Sequence, residues 1–150
     1  MRTVIQRVQH SKVVVEDQTI GEIGRGLMVL LGVTHDDNET DIKWLVKKIT
    51  KMRIFNDDAG KMNLSVEDIG GDILVVSQFT LYANARKGNR PSYIRSAPPD
   101  VSIPLYEQFV ETLRASFTGQ VATGEFGAMM EVSLLNDGPV TIILDSKEIG

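Results

Sequence analysis

Two short runs of uninterrupted apolar residues limit the architectures open to this chain. Leu27-Met28-Val29-Leu30-Leu31-Gly32-Val33 is the first, and Ile73-Leu74-Val75-Val76 lies at the heart of the second. Each is short for a buried helix and lacks a one-in-two alternation, so each reads as a strand covered on both faces. Such strands need a layer above and a layer below. The segments around them supply both. Residues 4–8 and 13–15 are rich in β-branched side chains, Glu16-Asp17-Gln18 is a turn, and 19–23 completes a hairpin. Acidic and capping side chains from Asp36 to Asp41 precede Ile42, Leu45, Val46 and Ile49 at helical spacing. A helix is expected there to about Lys51, with Lys47, Lys48 and Lys51 at its negative end. A short strand is expected over 53–55 and the second buried strand over 72–79, followed by a loop over 83–100. Pro104 opens a second helix whose apolar face is Leu105, Tyr106, Phe109, Val110 and Leu113. Strands over 120–123, 130–135 and 140–144 close the chain, the last two joined by a turn. The expected fold is α/β, with mixed β-sheet layers and two main helices packed on one side.

At 150 residues the chain is expected to be one domain over 1–150. With 42% apolar and 24% charged residues it has globular composition. The absence of cysteine excludes a disulfide scaffold, a thiolate zinc site and a cysteine nucleophile. No secretory pattern and no membrane-length apolar run are present, so the cytoplasm is the expected location. The net charge of −4 argues against a general nucleic-acid binder and against DNA as partner. Any RNA site must then be a local basic patch. Arg86, Lys87, Arg90 and Arg95 form the best one.

Several tempting motifs fail on physical grounds. Gly21 to Gly26 is glycine-rich but leads into a strand, whereas a phosphate loop needs a helix N-terminus. A calcium loop centred on Gly60 would place Phe55 and Val66 at ligand positions, and neither can ligate. His10 and His35 lack metal-site spacing, so no metal and no cofactor are expected. Two segments are more suggestive. Ser77-Gln78-Phe79-Thr80-Leu81 turns an apolar strand abruptly polar at its C-terminal end, where α/β proteins often present ligand groups. Asn136-Asp137-Gly138-Pro139-Val140-Thr141 reads as a hairpin turn through Asp-Gly. Its Gly-Pro bond can also be cis at only about 0.5–1 kcal/mol over trans.

Taken as a pair, SQFTL and NDGPVT resemble the signature motifs of the D-aminoacyl-tRNA deacylase family. The likeness extends over nearly the whole chain, through Ile5-Gln6-Arg7-Val8, Gly60-Lys61-Met62-Asn63, Gly88-Asn89-Arg90-Pro91-Ser92 and Phe126-Gly127-Ala128-Met129-Met130. The resemblance implies an enzyme that hydrolyses the ester of D-aminoacyl-tRNA, removes glycine from mischarged tRNA-Ala and spares L-aminoacyl-tRNA. It implies a homodimer with two interfacial active sites. Ser77, Gln78, Phe79 and Thr80 of one subunit would face a cis Gly138-Pro139 of the other, whose carbonyls exclude an L side chain. Phe126, Met129 and Met130 would flank the adenosine of the tRNA acceptor end. Arg86, Lys87 and Arg90 would hold its phosphates, and Arg7 and Asn136 would support the Gly-Pro loop. Two alternatives stand beside this reading. One is a non-catalytic module of the same fold that grips tRNA ends or a nucleotide. The other is a serine or threonine esterase pairing Ser77 or Thr80 with His10 or His35.

Overall fold

The computed structural model describes residues 1–148. Strands β1 (Arg2–Val15), β2 (Gln18–Ile23), β3 (Gly26–Gly32), β6 (Asp72–Ser77), β7 (Val121–Thr123) and β8 (Glu131–Asp145) make one mixed sheet. Its order is β2-β1-β3-β6-β7, with β8 on the other side of β1. β3 pairs in parallel with β6, and β6 with β7, while β1 runs antiparallel to β2, β3 and β8. The sheet curls until β2 meets β7: a Cβ placed on Gly21 would lie 2.5 Å from the Thr123 carbonyl oxygen. The result is a nearly closed barrel. β4 (Phe55–Asn56) and β5 (Met62–Leu64) form a separate small ribbon.

This curl explains the two apolar runs. Alternate residues of β3 and β6 point to opposite faces. Met28, Leu74 and Val76 fill the barrel with Val8, Val13 and Ile23. Leu27, Val29, Leu31, Ile73 and Val75 face the other way, against the helices. Helix α1 (Glu39–Lys51) buries Ile42, Leu45, Val46 and Ile49 there, and α2 (Pro99–Ser116) buries Phe109, Val110 and Leu113. The α1 start is fixed by a reciprocal cap. Asn38 Oδ1 accepts from Thr40 N at 2.9 Å, and Asn38 N donates to Asp41 Oδ2 at 2.9 Å.

The expected fold class holds, with four local corrections. β1 is one strand of 14 residues rather than two. It keeps β8 along one edge while its partner on the other changes from β3 to β2, so the polar stretch at Gln9 and His10 does not break it. The second buried strand ends at Ser77, and Phe79–Tyr82 forms a 3₁₀ turn instead of continuing it. Helix α2 begins at Pro99, with Pro98 capping it and Pro104 inside. The expected hairpin near Asp137-Gly138 is not a reversal. Both halves of β8 pair with β1, and 137–140 bulges out where the register jumps from Gln6–Thr141 to Val8–Asn136.

Candidate active site

The polar end of β6 opens onto a cavity of about 340 Å³. Ser77, Gln78, Phe79, Phe126, Met129 and Met130 all line it, so one place collects six of the residues named from sequence. Its buried end is walled by Leu31, Val33, Val76 and Ala97, together with Ser102 and Tyr106 of α2. Its mouth is open: Phe79 is 56% exposed and Met129 92%. The Tyr106 and Phe126 rings pack 5.7 Å apart, and Tyr106 Oη donates to the Val75 carbonyl at 3.3 Å. Burial pushes that phenol up to about 12, partly offset by Arg114. It is therefore a neutral donor at ordinary pH.

The 3₁₀ turn after Ser77 sets the polar groups. Its first internal bond runs from Leu81 N to the Gln78 carbonyl at 3.3 Å. The amides of Phe79 and Thr80 precede that bond and have no i−3 acceptor within the turn. Gln78 Nε2 donates to Thr80 Oγ1. With that oxygen accepting, the threonine O–H is directed to donate elsewhere. A second strap comes from Ser96, whose Oγ donates to the Phe79 carbonyl at 2.8 Å. Phe79 and Tyr93 make an edge-to-face pair at 5.1 Å beside it. No hydrogen bond among the described residues joins a histidine to Ser77 or Thr80. His35 Nε2 instead lies 2.7 Å from the Ile94 carbonyl oxygen.

The bulge of β8 is a separate construction. Gly138 and Pro139 do not line the cavity, so one chain does not bring its two signature motifs together. The Gly138-Pro139 peptide is cis, and Gly138 has φ of +119°, a conformation open mainly to glycine. Arg7 reaches up from β1 to hold this loop. Its Nε donates to the Asp137 carbonyl at 3.2 Å and lies 3.1 Å from Asp137 Oδ2, while Nη1 donates to the Ile54 carbonyl at 2.8 Å. Asn136 Nδ2 ties the base of the loop, donating to the carbonyls of Arg7 and Val140 at 3.1 Å each.

Of the basic cluster, Arg86, Lys87 and Arg90 line a second open cavity with Asn84 and Ser92. Arg95 turns away and stacks over the Tyr82 ring at 5.5 Å. Sequence reading did not single out Ser102 or give Tyr106 more than a core role. A serine in the first turns of a helix carries no signal of a ligand site, and a tyrosine at core spacing reads as packing.

The structure is thus a barrel-like mixed sheet with two helices, and a turn of hydroxyls and amides beside an apolar slot of a size for a small ligand or the end of a larger one. The chain matches the family model described as D-Tyr-tRNA(Tyr) deacylase over residues 4–145. It is 60% identical over 149 residues to a D-aminoacyl-tRNA deacylase of Thermosipho africanus, covering 99% of each chain. It is 58% identical to one of Chloroherpeton thalassium, covering 97% of this chain and 96% of that one. A solved structure described as a c-Myc DNA Unwinding Element Binding Protein superposes with a TM-score of 0.93 at 41% identity, over 99% of this chain and 100% of that one. A second, described as a probable eukaryotic D-amino acid tRNA deacylase, shares the fold with a TM-score of 0.80 at 21% identity, over 95% and 97%. The chain belongs to the D-Tyr-tRNA(Tyr) deacylase family. It is an enzyme, and its activity is D-aminoacyl-tRNA deacylation, a proofreading step of translation. The alternative of a non-catalytic module gives way to this.

Proposed function

We propose that the deacylase acts as a homodimer in the cytoplasm, removing D-amino acids and glycine from the tRNA acceptor end at sites shared between subunits. The observation that carries this reading is the separation of the two signature motifs: Ser77, Gln78 and Phe79 line the cavity, with Thr80 the next residue of the turn and outside the lining, and the Gly138-Pro139 loop stands away from it. A second copy supplies the missing half. β8 favours such a copy, because its outer edge has no strand partner among the described residues and Leu135 and Ile143 are 51% and 67% exposed on it.

In this reading the terminal adenosine enters between Phe126, Met129 and Met130, and the ester lies over the turn. The ester is already activated, so positioning and charge stabilisation suffice. The Phe79 and Thr80 amides stabilise the oxyanion, and the Thr80 hydroxyl orients the attacking water or the ribose 2′-hydroxyl. The partner's Gly138 and Pro139 carbonyls leave room for hydrogen but not for an L side chain, so glycine also passes. Arg86, Lys87 and Arg90 hold acceptor-end phosphates. Reversing those three charges is expected to raise KM for charged tRNA and leave turnover of D-aminoacyl-adenosine unchanged; equal effects on both would remove them from the tRNA contact.

Thr80→Ala is expected to slow D-aminoacyl-tRNA turnover by the value of one hydrogen bond, about 1–3 kcal/mol. Single-turnover kinetics on the folded variant decide this, and complete loss of turnover would make Thr80 a nucleophile. The shared site is tested by mixing inactive subunits. Thr80→Arg blocks the turn and Gly138→Val disrupts the loop, so hybrid dimers regain one intact site. Activity restored on mixing, with a dimer in sedimentation, is the expected outcome. A fully active monomer, or no restoration among hybrids shown to form, contradicts the interface reading.

A further inference from the structure

The two amides at the start of the 3₁₀ turn belong to peptide units that are held from behind in different ways. A trans peptide is planar and points its C=O and its N–H in opposite directions, so whatever grips the carbonyl also aims the amide. The Phe79 amide shares its peptide with the Gln78 carbonyl, which accepts from Leu81 N at 3.3 Å inside the turn itself. The Thr80 amide shares its peptide with the Phe79 carbonyl. That carbonyl is gripped from a distant part of the chain, by Ser96 Oγ at 2.8 Å. Ser96 is half-buried, and its backbone is tied to the main sheet. It forms an antiparallel bridge with Thr34, just past the end of β3. Its N–H donates to the Tyr93 carbonyl at 3.0 Å, and the next amide, that of Ala97, donates to the Val33 carbonyl at 3.0 Å. Thr34 Oγ1 adds a separate tie to the same segment by donating to the Arg95 carbonyl. The Ser96 hydroxyl therefore reaches the turn from a fixed base.

We propose that Ser96 is a positioning residue for deacylation: its hydroxyl holds the Phe79–Thr80 peptide so that the Thr80 amide faces the ester, a role that rests on the assignment of that amide to the oxyanion under the proposed function. Two physical effects act together. The bond fixes the peptide plane before substrate arrives, so no reorganisation is needed when negative charge develops on the ester oxygen. Donation to the carbonyl also polarises the peptide, which makes the N–H at its other end a stronger donor. Both effects act on the charge of the transition state and little on the neutral ester. They belong in turnover rather than in substrate binding.

The test compares three variants of the full-length enzyme. Ser96→Ala removes the hydroxyl and Ser96→Thr keeps one. Thr34→Val is the control, because it removes the tie to the Arg95 carbonyl and leaves the one to Phe79. On D-tyrosyl-tRNA, Ser96→Ala is expected to lower the saturated rate about tenfold, the equivalent of one hydrogen bond, with KM within about twofold of native. Ser96→Thr is expected to recover most of the rate, and Thr34→Val to stay within about twofold of native. Affinity is read with two adenosine conjugates of D-tyrosine: the 3′-amide, which resembles the ester, and the phosphonate ester, whose tetrahedral anion resembles the transition state. The native enzyme is expected to bind the phosphonate more tightly than the amide. Ser96→Ala should lose about tenfold on the phosphonate and nothing on the amide. Equal losses of rate in Ser96→Ala and Thr34→Val would mean that Ser96 only anchors its segment, and the inference fails. A raised KM with an unchanged saturated rate would make Ser96 a binding residue, which also overturns it. If the native enzyme prefers the phosphonate and Ser96→Ala keeps both that preference and the rate, the inference falls while the oxyanion assignment stands. A native enzyme with no preference for the phosphonate overturns the assignment and the inference together.

Discussion

Arg7→Met is expected to cost the enzyme both stability and stereochemical control. The Arg7 side chain is 7% exposed and spends its donors on the Ile54 carbonyl, the Asp137 carbonyl and the Asp137 carboxylate. Methionine fills much of the same volume but leaves a buried acceptor and a carboxylate without partners. Asp137 is 27% exposed, so water recovers part of its loss. The expected destabilisation is about 2–4 kcal/mol, toward the lower side of what breaking a buried pair costs. For a domain of this size that lowers Tm by roughly 5–15 °C. Under the proposed function the effect on chemistry is larger, because the guanidinium holds Asp137 in the loop that carries Gly138 and Pro139. A shift of about 1 Å in a positioning group can cost on the order of a hundredfold in rate. Deacylation of D-aminoacyl-tRNA, measured at a temperature where the variant is folded, is expected to fall by that order. Arg7→Lys restores charge but not the fork that reaches two acceptors, so it recovers only part. Turnover within a few-fold of native in Arg7→Met, with L-substrate still spared, would mean the loop holds its shape without the guanidinium.

Gly26→Ala is expected to have the largest effect on folding. At the start of the parallel β3–β6 pair, a Cβ on Gly26 would lie 1.9 Å from the Asp72 carbonyl oxygen and 2.8 Å from Asp72 N. Both obstacles are backbone, and Asp72 N also donates to the Arg25 carbonyl at 3.1 Å. Relief requires prying apart the seam that carries Leu27, Val29, Ile73 and Val75 in the core. A loss of about 4 kcal/mol or more is expected, the range reached only by severe core disruptions. Gly24→Ala is the matched control, since nothing lies within 4 Å of the Cβ it would add. Its stability should stay within about 0.5 kcal/mol of native. Urea denaturation of the two variants decides the point, and a Gly26→Ala protein of native stability would refute the tight β3–β6 approach.

The sequence was most legible where local chemistry and tertiary structure agree. The apolar runs 27–33 and 73–76 became strands covered on both faces, and the acidic, capped start of α1 lies where Asn38 and Asp41 placed it. Misreadings arose where a distant strand or an adjacent residue changed the meaning of a local signal. Asp137-Gly138 is a turn sequence, but β1 runs past both flanking segments and holds them in line, so the turn becomes a bulge. Pro104 and Pro99 are each compatible with the first helical position, and the chain uses Pro99. Pro104 then sits inside the helix, where it lacks the amide that would bond to the Asp100 carbonyl and its ring crowds that carbonyl. At the site, the change from Val76 to Ser77 and Gln78 marked the polar turn. Ser102 and Tyr106 stayed hidden because α2 brings them to the cavity from elsewhere in the chain.

The most direct test of the account is single-turnover deacylation of one tRNA charged with D- or L-tyrosine by the purified native enzyme. A turn that only positions an activated ester, opposed by carbonyls that exclude an L side chain, predicts D-tyrosyl hydrolysis at least about a hundredfold faster than L-tyrosyl. It also predicts that glycyl-tRNA is hydrolysed in the same assay. Equal rates on the two tyrosyl esters, or a faster L rate, would contradict it.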